Sequence, residues 1–400
     1  MISVEKALQI ILNSTQDFGT EISVEEIPFL KSSGRILKES IFADRDFPPF
    51  NRVTMDGIAI DYTSFQNGQR SFFIEGIQPA GSEQITLKNT ENCIEVMTGA
   101  VLPKNTSAVI RYEDITIKNG IAIINIDTIY NRQNIHEQGK DEQKGAELIA
   151  KNTLIGASEI GVFATVGKSI VKVAKQPKVM IISTGNELVD VDEIPLAHQI
   201  RRSNVFTLVS LLETLRIPST TNHISDDKEV LKNTIKEYLE IYDVLLFSGA
   251  VSKGKFDFLP EVLEELGVQK LFHQVAQRPG KPFWFGQTTT CKVFAFPGNP
   301  VSTFVNCLVY FYPWYYKSVG LKMEEKTAIL AEDIYFKPDL TYFLQVKLNY
   351  KFGHLIATPI SSNGSGDLSS LIKADGFIQL PNDTTEFKKG ESFKVLSFKC

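Results

Sequence analysis

The sequence predicts a multidomain α/β protein whose central, doubly wound α/β domain has β-rich segments on both sides. From Pro177 to Tyr316, apolar strands and amphipathic helices alternate regularly. This is the pattern of a mostly parallel sheet with helices on both faces. Residues 72–129 and the residues after Gly320 instead alternate apolar and polar positions with a period of two, which is typical of short strands. At 400 residues, the chain is also too long for one hydrophobic core.

Composition narrows the class of partner. The chain is 43% hydrophobic and 22% charged, with a net charge of −5, so it lacks the basic surface that binding to nucleic acid requires. No apolar run reaches the roughly 18 residues that cross a bilayer, so no membrane partner is expected. The four cysteines are scattered, without a CxxC pair or a secretory signal, and we expect reduced thiols and a cytoplasmic location.

The regions outside the α/β block divide into predicted helical and β-rich segments. Ser3 is a predicted N-cap for a helix over residues 3–14, and a second helical stretch is predicted to start near Ser23. Another helix is predicted to end at Gly167. The predicted domains are a helical linker domain (1–45 and 142–170), an inserted β domain (46–141), the α/β domain (171–318) and a C-terminal β-barrel (319–400).

The sequence predicts an anion-binding site at one edge of the α/β sheet. The segment DVLLFSGAVSKGKFD runs from an apolar strand through a small-residue loop into a helix, and VFAFPGNPVSTF repeats that order. Backbone N–H groups at such junctions bind anions, and parallel strands bring their carboxyl ends to one edge. Asn299 is the predicted N-cap of the second helix, with Pro300 at its first position. Between the two loops, QRPGKPFWFG supplies Arg278 and Lys281.

Acidic residues accompany these loops. Glu187 follows the strand that begins after Pro177, and Asp257 ends the first small-residue loop. Carboxylate oxygens are the ligands of hard divalent cations, so these two residues could hold one at the sheet edge. In the β-rich part, PPFNRVTMDG places Asp56 in a turn, and Thr98 stands at a strand end where its hydroxyl could touch a ligand.

Five segments together resemble the MoeA/gephyrin E-domain family of molybdopterin molybdenumtransferases. They occur in this order over most of the chain: PPFNRVTMDG, MTGAVLP, STGNELV, SGAVSKGKFD with RPGKPFWFG, and FPGNPVS. The resemblance implies an L-shaped, four-domain subunit with a MogA-like central domain, and a homodimer. It implies that molybdate is inserted into adenylyl-molybdopterin with release of AMP, with Mg²⁺ as cofactor. It also implies a transient contact with a molybdopterin adenylyltransferase.

The resemblance also implies roles for individual residues. The implied catalytic residues are Asp56, Thr98, Asp141, Glu187 and Asp257. The implied substrate-binding residues are Ser248, Gly249, Ser252, Gly254, Arg278, Lys281, Pro297, Gly298, Asn299, Pro300 and Ser369, with Ser370 as the alternative to Ser369. The implied metal ligands are Glu187, Asp257 and one of Asp226 and Asp227, between which the sequence does not choose.

Three positions depart from the family pattern. Ala250 stands where the family usually has a second glycine, Arg278 replaces a lysine, and Asn186 replaces an aspartate. Arg278 keeps the charge of lysine but offers a planar fork. The sequence does not discriminate molybdate from tungstate.

Two other functions compete with this interpretation. The α/β block alone resembles molybdopterin adenylyltransferases, but the flanking β domains and PPFNRVTMDG argue against that class, because the adenylyltransferase is a lone domain. A non-catalytic scaffold is the second alternative, since the vertebrate relative also clusters receptors. Nothing in this sequence shows the long linker or fused adenylyltransferase domain of such proteins, and we therefore expect an enzyme.

Overall fold

The structure, a computed structural model, describes residues 1–15, 24–249, 251 and 257–399. The chain divides into two compact units. The first unit comprises Met1–Lys38, Asn152–Ala157 and Ile170–Cys400, and the second comprises Glu39–Lys151 and Ser158–Ser169.

The first unit begins with helix α1 (Val4–Asn13) and strand β1 (Val24–Pro28). Ser3 caps α1 by accepting a hydrogen bond from Lys6 N at 3.2 Å, which confirms the first predicted helix. The helix predicted to start near Ser23 is wrong over the described residues, because β1 pairs antiparallel with residues 170–174. Pro28 disfavours helical backbone at Ile27, and the sheet partner lies too far along the chain to be read locally.

The second unit is built on a mixed sheet of six strands, in the order β7-β4-β6-β5-β9-β8. The elements between residues 39 and 169 are β2 (Ile41–Phe42), β3 (Arg52–Val53), β4 (Gly57–Ile60), α2 (Tyr62–Gln66), β5 (Ser71–Gln78), β6 (Cys93–Val96), β7 (Ala108–Arg111), β8 (Ile115–Lys118), β9 (Ile121–Ile124), β10 (Ile135–His136), β11 (Glu147–Ile149) and α3 (Ala157–Thr165). Ile58, Phe72 and Ile110 are fully buried in its core. The short strands predicted between residues 72 and 129 are confirmed.

The α/β domain of the first unit contains a six-stranded sheet in the order β16-β13-β17-β21-β20-β18. The elements from residue 170 to 318 are β12 (Ile170–Ala174), β13 (Val179–Thr184), β14 (Leu188–Val189), β15 (Ile200–Arg201), α4 (Asn204–Thr214), β16 (Ser219–Ile224), α5 (Lys228–Ile241), β17 (Val244–Ser248), α6 (Leu259–Glu265), β18 (Gln269–His273), β19 (Gln277–Arg278), β20 (Trp284–Gln287), β21 (Lys292–Phe296), α7 (Pro300–Asn306), a π-helical turn (Cys307–Phe311) and α8 (Tyr312–Ser318).

The first four strands of this sheet are parallel, and β20 and β18 add an antiparallel edge. Successive residues of β17 face opposite sides: Leu246 packs in one apolar cluster and Phe247 in another. A strand buried on both faces needs helices on both sides. The predicted doubly wound sheet is therefore confirmed.

The C-terminal part of the first unit is a closed barrel, in which the five strands β24-β25-β22-β28-β26 return to β24. Its elements are β22 (Lys326–Leu330), β23 (Ile334–Tyr335), β24 (Thr341–Lys351), β25 (His354–Pro359), α9 (Leu368–Lys373), β26 (Gly376–Leu380), β27 (Glu386–Phe387) and β28 (Ser392–Ser397). The predicted barrel is confirmed, and β19 of the α/β domain pairs with β24. Among the described residues, no helix is long and apolar enough to cross a membrane.

Candidate active site

A cleft of about 350 Å³ opens where three neighbouring strands end. Strands β13, β17 and β21 run in parallel, so their last residues, Thr184, Ser248 and Phe296, lie at the same edge of the sheet. This is the edge predicted from the loop patterns. The cleft is lined by Ser183, Thr184, Gly185, Glu187, Leu188, Ile200, Arg201, Arg202, Ser203, Asn204, Val205, Asp226, Ser248, Gly249, Val251, Asp257, Pro297, Gly298 and Pro300.

Asn204, at the start of α4, ties the two small-residue loops together. Its Nδ2 donates to Ser248 Oγ at 2.8 Å and to the Gly298 carbonyl at 2.7 Å. One amide group therefore fixes the loop after β17 against the loop after β21. Asn204 was not among the residues selected from the sequence, because both of its partners lie far along the chain.

Two glycines bring backbone close to side chains of the cleft. Gly249 has φ +115°, and a Cβ there would lie 3.2 Å from Thr184 Oγ1. Gly185 has φ +131°, and a Cβ there would lie 2.6 Å from Glu187 Oε2. Both backbone conformations favour glycine. The Glu187 carboxylate therefore folds back over Gly185.

Three carboxylates line the cleft, on Glu187, Asp226 and Asp257. Asp226 exchanges two hydrogen bonds with Asn186: Asn186 N donates to Asp226 Oδ2 at 3.3 Å, and Asp226 N donates to Asn186 Oδ1 at 3.1 Å. An aspartate at position 186 would set a second carboxylate against Asp226, so the departure to asparagine removes a like-charge contact. Asp227 instead caps α5, accepting from Val230 N at 2.9 Å. Asp226 is thus the residue of the pair that reaches the cleft.

The carboxylate oxygens of the cleft fit a Mg²⁺ ion that is also held by water and by the substrate phosphates. Within the described parts of the chain, no three His, Cys, Asp or Glu side chains are grouped closely enough to hold a metal by themselves. Mg²⁺ usually keeps several waters and is bound by one or two carboxylates together with substrate phosphates. The oxygen donors of Glu187, Asp226 and Asp257 match that requirement.

The cations among the described lining residues are Arg201 and Arg202, neither of which the sequence analysis selected. Arg202 Nη2 donates to Asp190 Oδ1, and this hydrogen bond lowers the pKa of Asp190 from its ordinary value. Arg201 is exposed, and its Nε donates to the Glu193 carbonyl at 3.0 Å. The available signal was the pair of arginines directly before the Ser203-Asn204 helix start.

The predicted basic pair does not line this cleft. Arg278 lies on β19, paired with Tyr342 of the barrel, and its guanidinium is 5.9 Å from the centre of the Phe336 ring. Arg278 and Lys281 are both exposed. Their positions beside an anion-friendly loop in the sequence therefore do not bring them to the described lining.

The PGNP loop (residues 297–300) contacts the Ser/Gly-rich loop of the C-terminal part (residues 361–370). Asn299 precedes α7 as predicted, but its side chain makes no capping hydrogen bond. Its Nδ2 donates to Ser365 Oγ at 2.8 Å, and Val301 N donates to the Ser365 carbonyl at 3.1 Å. Ser365, which the sequence analysis did not select, is thus the serine that touches the PGNP loop.

The two predicted serines of this loop differ in exposure. Ser369 is exposed and its Oγ donates to Asp367 Oδ1 at 2.6 Å. Ser370 is 2% exposed, and its Oγ donates to the Asp367 carbonyl at 2.6 Å. Ser369 is therefore the more available of the two for a ligand.

The remaining predicted residues form two contacts in the second unit. Asp56 Oδ1 accepts from Thr98 N at 2.6 Å, and hydrogen bonds from the backbone N–H and hydroxyl of Thr98 lower the pKa of Asp56. Asp141 Oδ1 lies 2.8 Å from His136 Nε2, and Arg52 Nη2 donates to the other ring nitrogen at 3.2 Å. His136 was not selected from the sequence, since a lone histidine in a polar loop is common, and Arg52 entered only as part of the segment PPFNRVTMDG.

Three positions singled out from the sequence cannot be placed. Ser252 and Gly254, predicted to bind substrate, lie outside the described residues, as does Ala250.

Comparison with known proteins covers nearly the whole chain. Residues 2–167 match the family model described as MoeA N-terminal region (domain I and II), residues 180–314 the probable molybdopterin binding domain, and residues 327–398 the MoeA C-terminal region (domain IV). A molybdopterin molybdenumtransferase from Synechocystis sp. is 39% identical over 98% of this chain and 99% of its own length. One from Bacillus subtilis is 30% identical over 99% of this chain and 94% of its own. A crystal structure of a molybdopterin biosynthesis MoeA protein from Pyrococcus horikoshii is 31% identical, covers 100% of both chains and has a TM-score of 0.85.

Proposed function

Because this chain belongs to the MoeA family of molybdopterin molybdenumtransferases, we propose that it inserts molybdate into adenylyl-molybdopterin and releases AMP and molybdenum cofactor. The observation that carries the proposal is the cleft at the carboxyl edge of the α/β sheet. It combines three carboxylates, two arginines and small-residue loops on adjacent strands. A phosphoanhydride and an incoming oxyanion need cationic and N–H donors, with a divalent ion to offset the charge.

Each part of the cleft has a task in this reaction. The start of α4 presents the positive end of a helix to anionic substrate. Asn204 keeps the loops of Ser248 and Gly298 together, so that the substrate meets a preformed site. Mg²⁺, when bound by Glu187, Asp226 or Asp257 with the substrate phosphates, would neutralise charge that develops at the cleaved bond.

The test of the function is AMP release from adenylyl-molybdopterin in the presence of Mg²⁺ and molybdate, with tungstate in a parallel reaction. The wild-type chain should release AMP. Asp257→Ala should bind adenylyl-molybdopterin but should not release AMP from it. Asp339→Ala is the control, because Asp339 is an exposed aspartate of the C-terminal part that hydrogen-bonds Asn382. Normal turnover by Asp257→Ala would remove Asp257 from the mechanism. Adenylylation of molybdopterin by ATP would favour the adenylyltransferase alternative instead.

The proposal includes a homodimer. Asp56, Thr98 and Asp141 belong to the second unit, and Glu187 and Asp257 to the first. A two-fold dimer allows the first group of one chain to act with the second group of its partner, giving two equivalent sites. Asp56→Ala and Asp257→Ala dimers should then each be inactive. Mixing them with verified subunit exchange should restore roughly a quarter of wild-type activity, because half of the dimers are mixed and each has one intact site. If the mixture shows only background activity, the active site is not shared between the two chains.

The remaining parts of the proposal concern the enzyme that supplies the substrate and the location of this protein in the cell. Adenylyl-molybdopterin is the product of a molybdopterin adenylyltransferase, so we expect a transient contact with that enzyme. Cross-linking during a coupled reaction would detect it. A cytoplasmic location agrees with the cysteines that the structure describes, Cys93, Cys291 and Cys307, which are buried free thiols. Fractionation of cells would test it.

A further inference from the structure

Arg202 is the more firmly held of the two cations that line the cleft. Its side chain is 14% exposed, and Asp190 anchors Nη2. Arg201, by contrast, is exposed to solvent. Charges removed from water interact more strongly with an anion, because solvent screens them less. Arg202 is therefore the better preorganised cation for an anionic ligand.

Arg202 also has N–H groups that donate to no described residue. Its Nε is buried without a hydrogen-bond partner among the described residues, and none of these residues accepts from Nη1. A buried donor without an acceptor costs free energy, which an incoming oxygen would recover. Thr184, 6% exposed and also lining the cleft, has a hydroxyl without a hydrogen-bond partner in the described part of the chain. Two unsatisfied polar groups thus belong to the same cleft.

The charges of the cleft require a cation at this place. Among the described lining residues, Glu187, Asp226 and Asp257 are acidic, and only the two arginines oppose them. A phosphate or molybdate would be repelled by the carboxylates alone. The predicted cations, Arg278 and Lys281, are absent from the described lining.

We propose that Arg202, supported by Thr184, forms a subsite for a tetrahedral oxyanion of the substrates. This inference deepens the proposed function and rests on it. A guanidinium edge presents two parallel N–H donors, which match two oxygens of one tetrahedral group. The nucleotide phosphate and molybdate share this chemistry, and either can be the occupant.

The experiment measures equilibrium binding of AMP, adenosine and molybdate to the full chain and to Arg202→Met, Arg202→Lys and Thr184→Val. For Arg202→Met, affinity for AMP or for molybdate should fall roughly tenfold to a hundredfold, the range for a lost charged hydrogen bond. Arg202→Lys should lose less, because it keeps the charge, and Thr184→Val should lose less again. Adenosine binding should not change. The probe that loses affinity identifies the occupant.

Two further variants separate ligand binding from a structural role. Asp190→Asn removes the negative charge that anchors Arg202 but keeps an amide oxygen that can accept from Nη2, and the guanidinium stays, so this variant should weaken oxyanion binding far less than Arg202→Met. Lys270→Met removes an exposed cation of the same domain, paired with Glu264, and should leave binding unchanged. If thermal unfolding shows that Arg202→Met does not fold, the affinity of Arg202→Lys is compared with that of Lys270→Met instead.

The proposal is overturned if neither oxyanion binds the wild type, if no Arg202 variant weakens binding beyond Lys270→Met, or if Asp190→Asn costs as much as Arg202→Met. The proposed function fails separately. A wild-type chain that binds AMP or molybdate through Arg202 but releases no AMP from adenylyl-molybdopterin would retain the subsite and lose the function.

Discussion

Replacing Asn204 tests whether the cleft is preformed. Asn204→Ala removes one donor group that holds two loops, through hydrogen bonds of 2.8 Å to Ser248 and 2.7 Å to Gly298. A hydrogen bond contributes roughly 1 kcal/mol net, so the two together contribute about 2 kcal/mol. Because alanine is the stronger helix former, α4 itself should not be weakened.

This free energy should appear in ligand affinity. If the two loops separate in the free variant, binding must first restore their arrangement. The upper limit is then about a thirtyfold rise in the Kd for adenylyl-molybdopterin or AMP, since about 1.4 kcal/mol corresponds to tenfold. Asn204→Asp has the same shape but no donor, and adds a negative charge beside an anionic ligand. Its Kd should rise further than that of Asn204→Ala.

Asn222→Ala is the matched control. Asn222 Nδ2 donates to the Tyr238 hydroxyl at 2.7 Å in the same domain, and Asn222 does not line the cleft. Calorimetric titration should show a wild-type Kd for this variant. The reasoning would be refuted by an unchanged Kd in Asn204→Ala, or by an equal rise in Asn222→Ala.

Three further predictions concern neighbouring contacts. Asp227→Ala should lower the free energy of unfolding by roughly 1 kcal/mol through loss of the α5 cap and keep AMP release, whereas Asp226→Ala should impair AMP release. Equal turnover losses would contradict this division. Gly249→Ala, at φ +115°, should cost roughly 1–3 kcal/mol and weaken substrate binding, and wild-type melting and affinity would show that the backbone relaxes freely. Thr98→Val keeps the backbone N–H but loses the hydroxyl, so an NMR titration should find the pKa of Asp56 raised only part of the way to its ordinary value. A lowered carboxylate pKa contributes stability that is present above the unfolded pKa and lost as pH falls through the folded pKa, so this variant should be less stable at neutral pH and approach the wild type in acid. A complete return of the pKa would show that the hydroxyl outweighs the N–H.

The part of the site that the sequence could predict is the part encoded locally. A strand, a small-residue loop and a helix follow one another directly around Ser248 and Pro297, and parallel pairing brings such loops together. The sequence also left Asp226 and Asp227 as the two alternatives for one proposed metal ligand. It could not choose, because two adjacent carboxylates look alike until one of them caps a helix.

The rest depends on partners that are distant in sequence. Arg278 lies beside a loop whose sequence is typical of anion binding. However, Arg278 is part of β19, which pairs with β24 of the barrel, a strand that begins more than sixty residues later. Arg202 and Asn204 reach the cleft only because α4 packs beside β13. The strand at Val24–Pro28 shows the same limit, since pairing with β12 outweighs the helix preference of its glutamates.

The contact between Ser365 and Asn299 bears on how this protein can be divided and how it evolves. With the pairing of β19 and β24, it makes the C-terminal barrel a structural support of the PGNP loop. A fragment truncated at Gly320 would expose an unpaired strand edge and lose the brace on Asn299, so the α/β domain should not be expected to work as an excised module. Substitutions in the barrel's Ser/Gly loop can in turn alter catalysis without touching the cleft, which makes the pair Asn299 and Ser365 a place to look for coordinated substitutions among relatives.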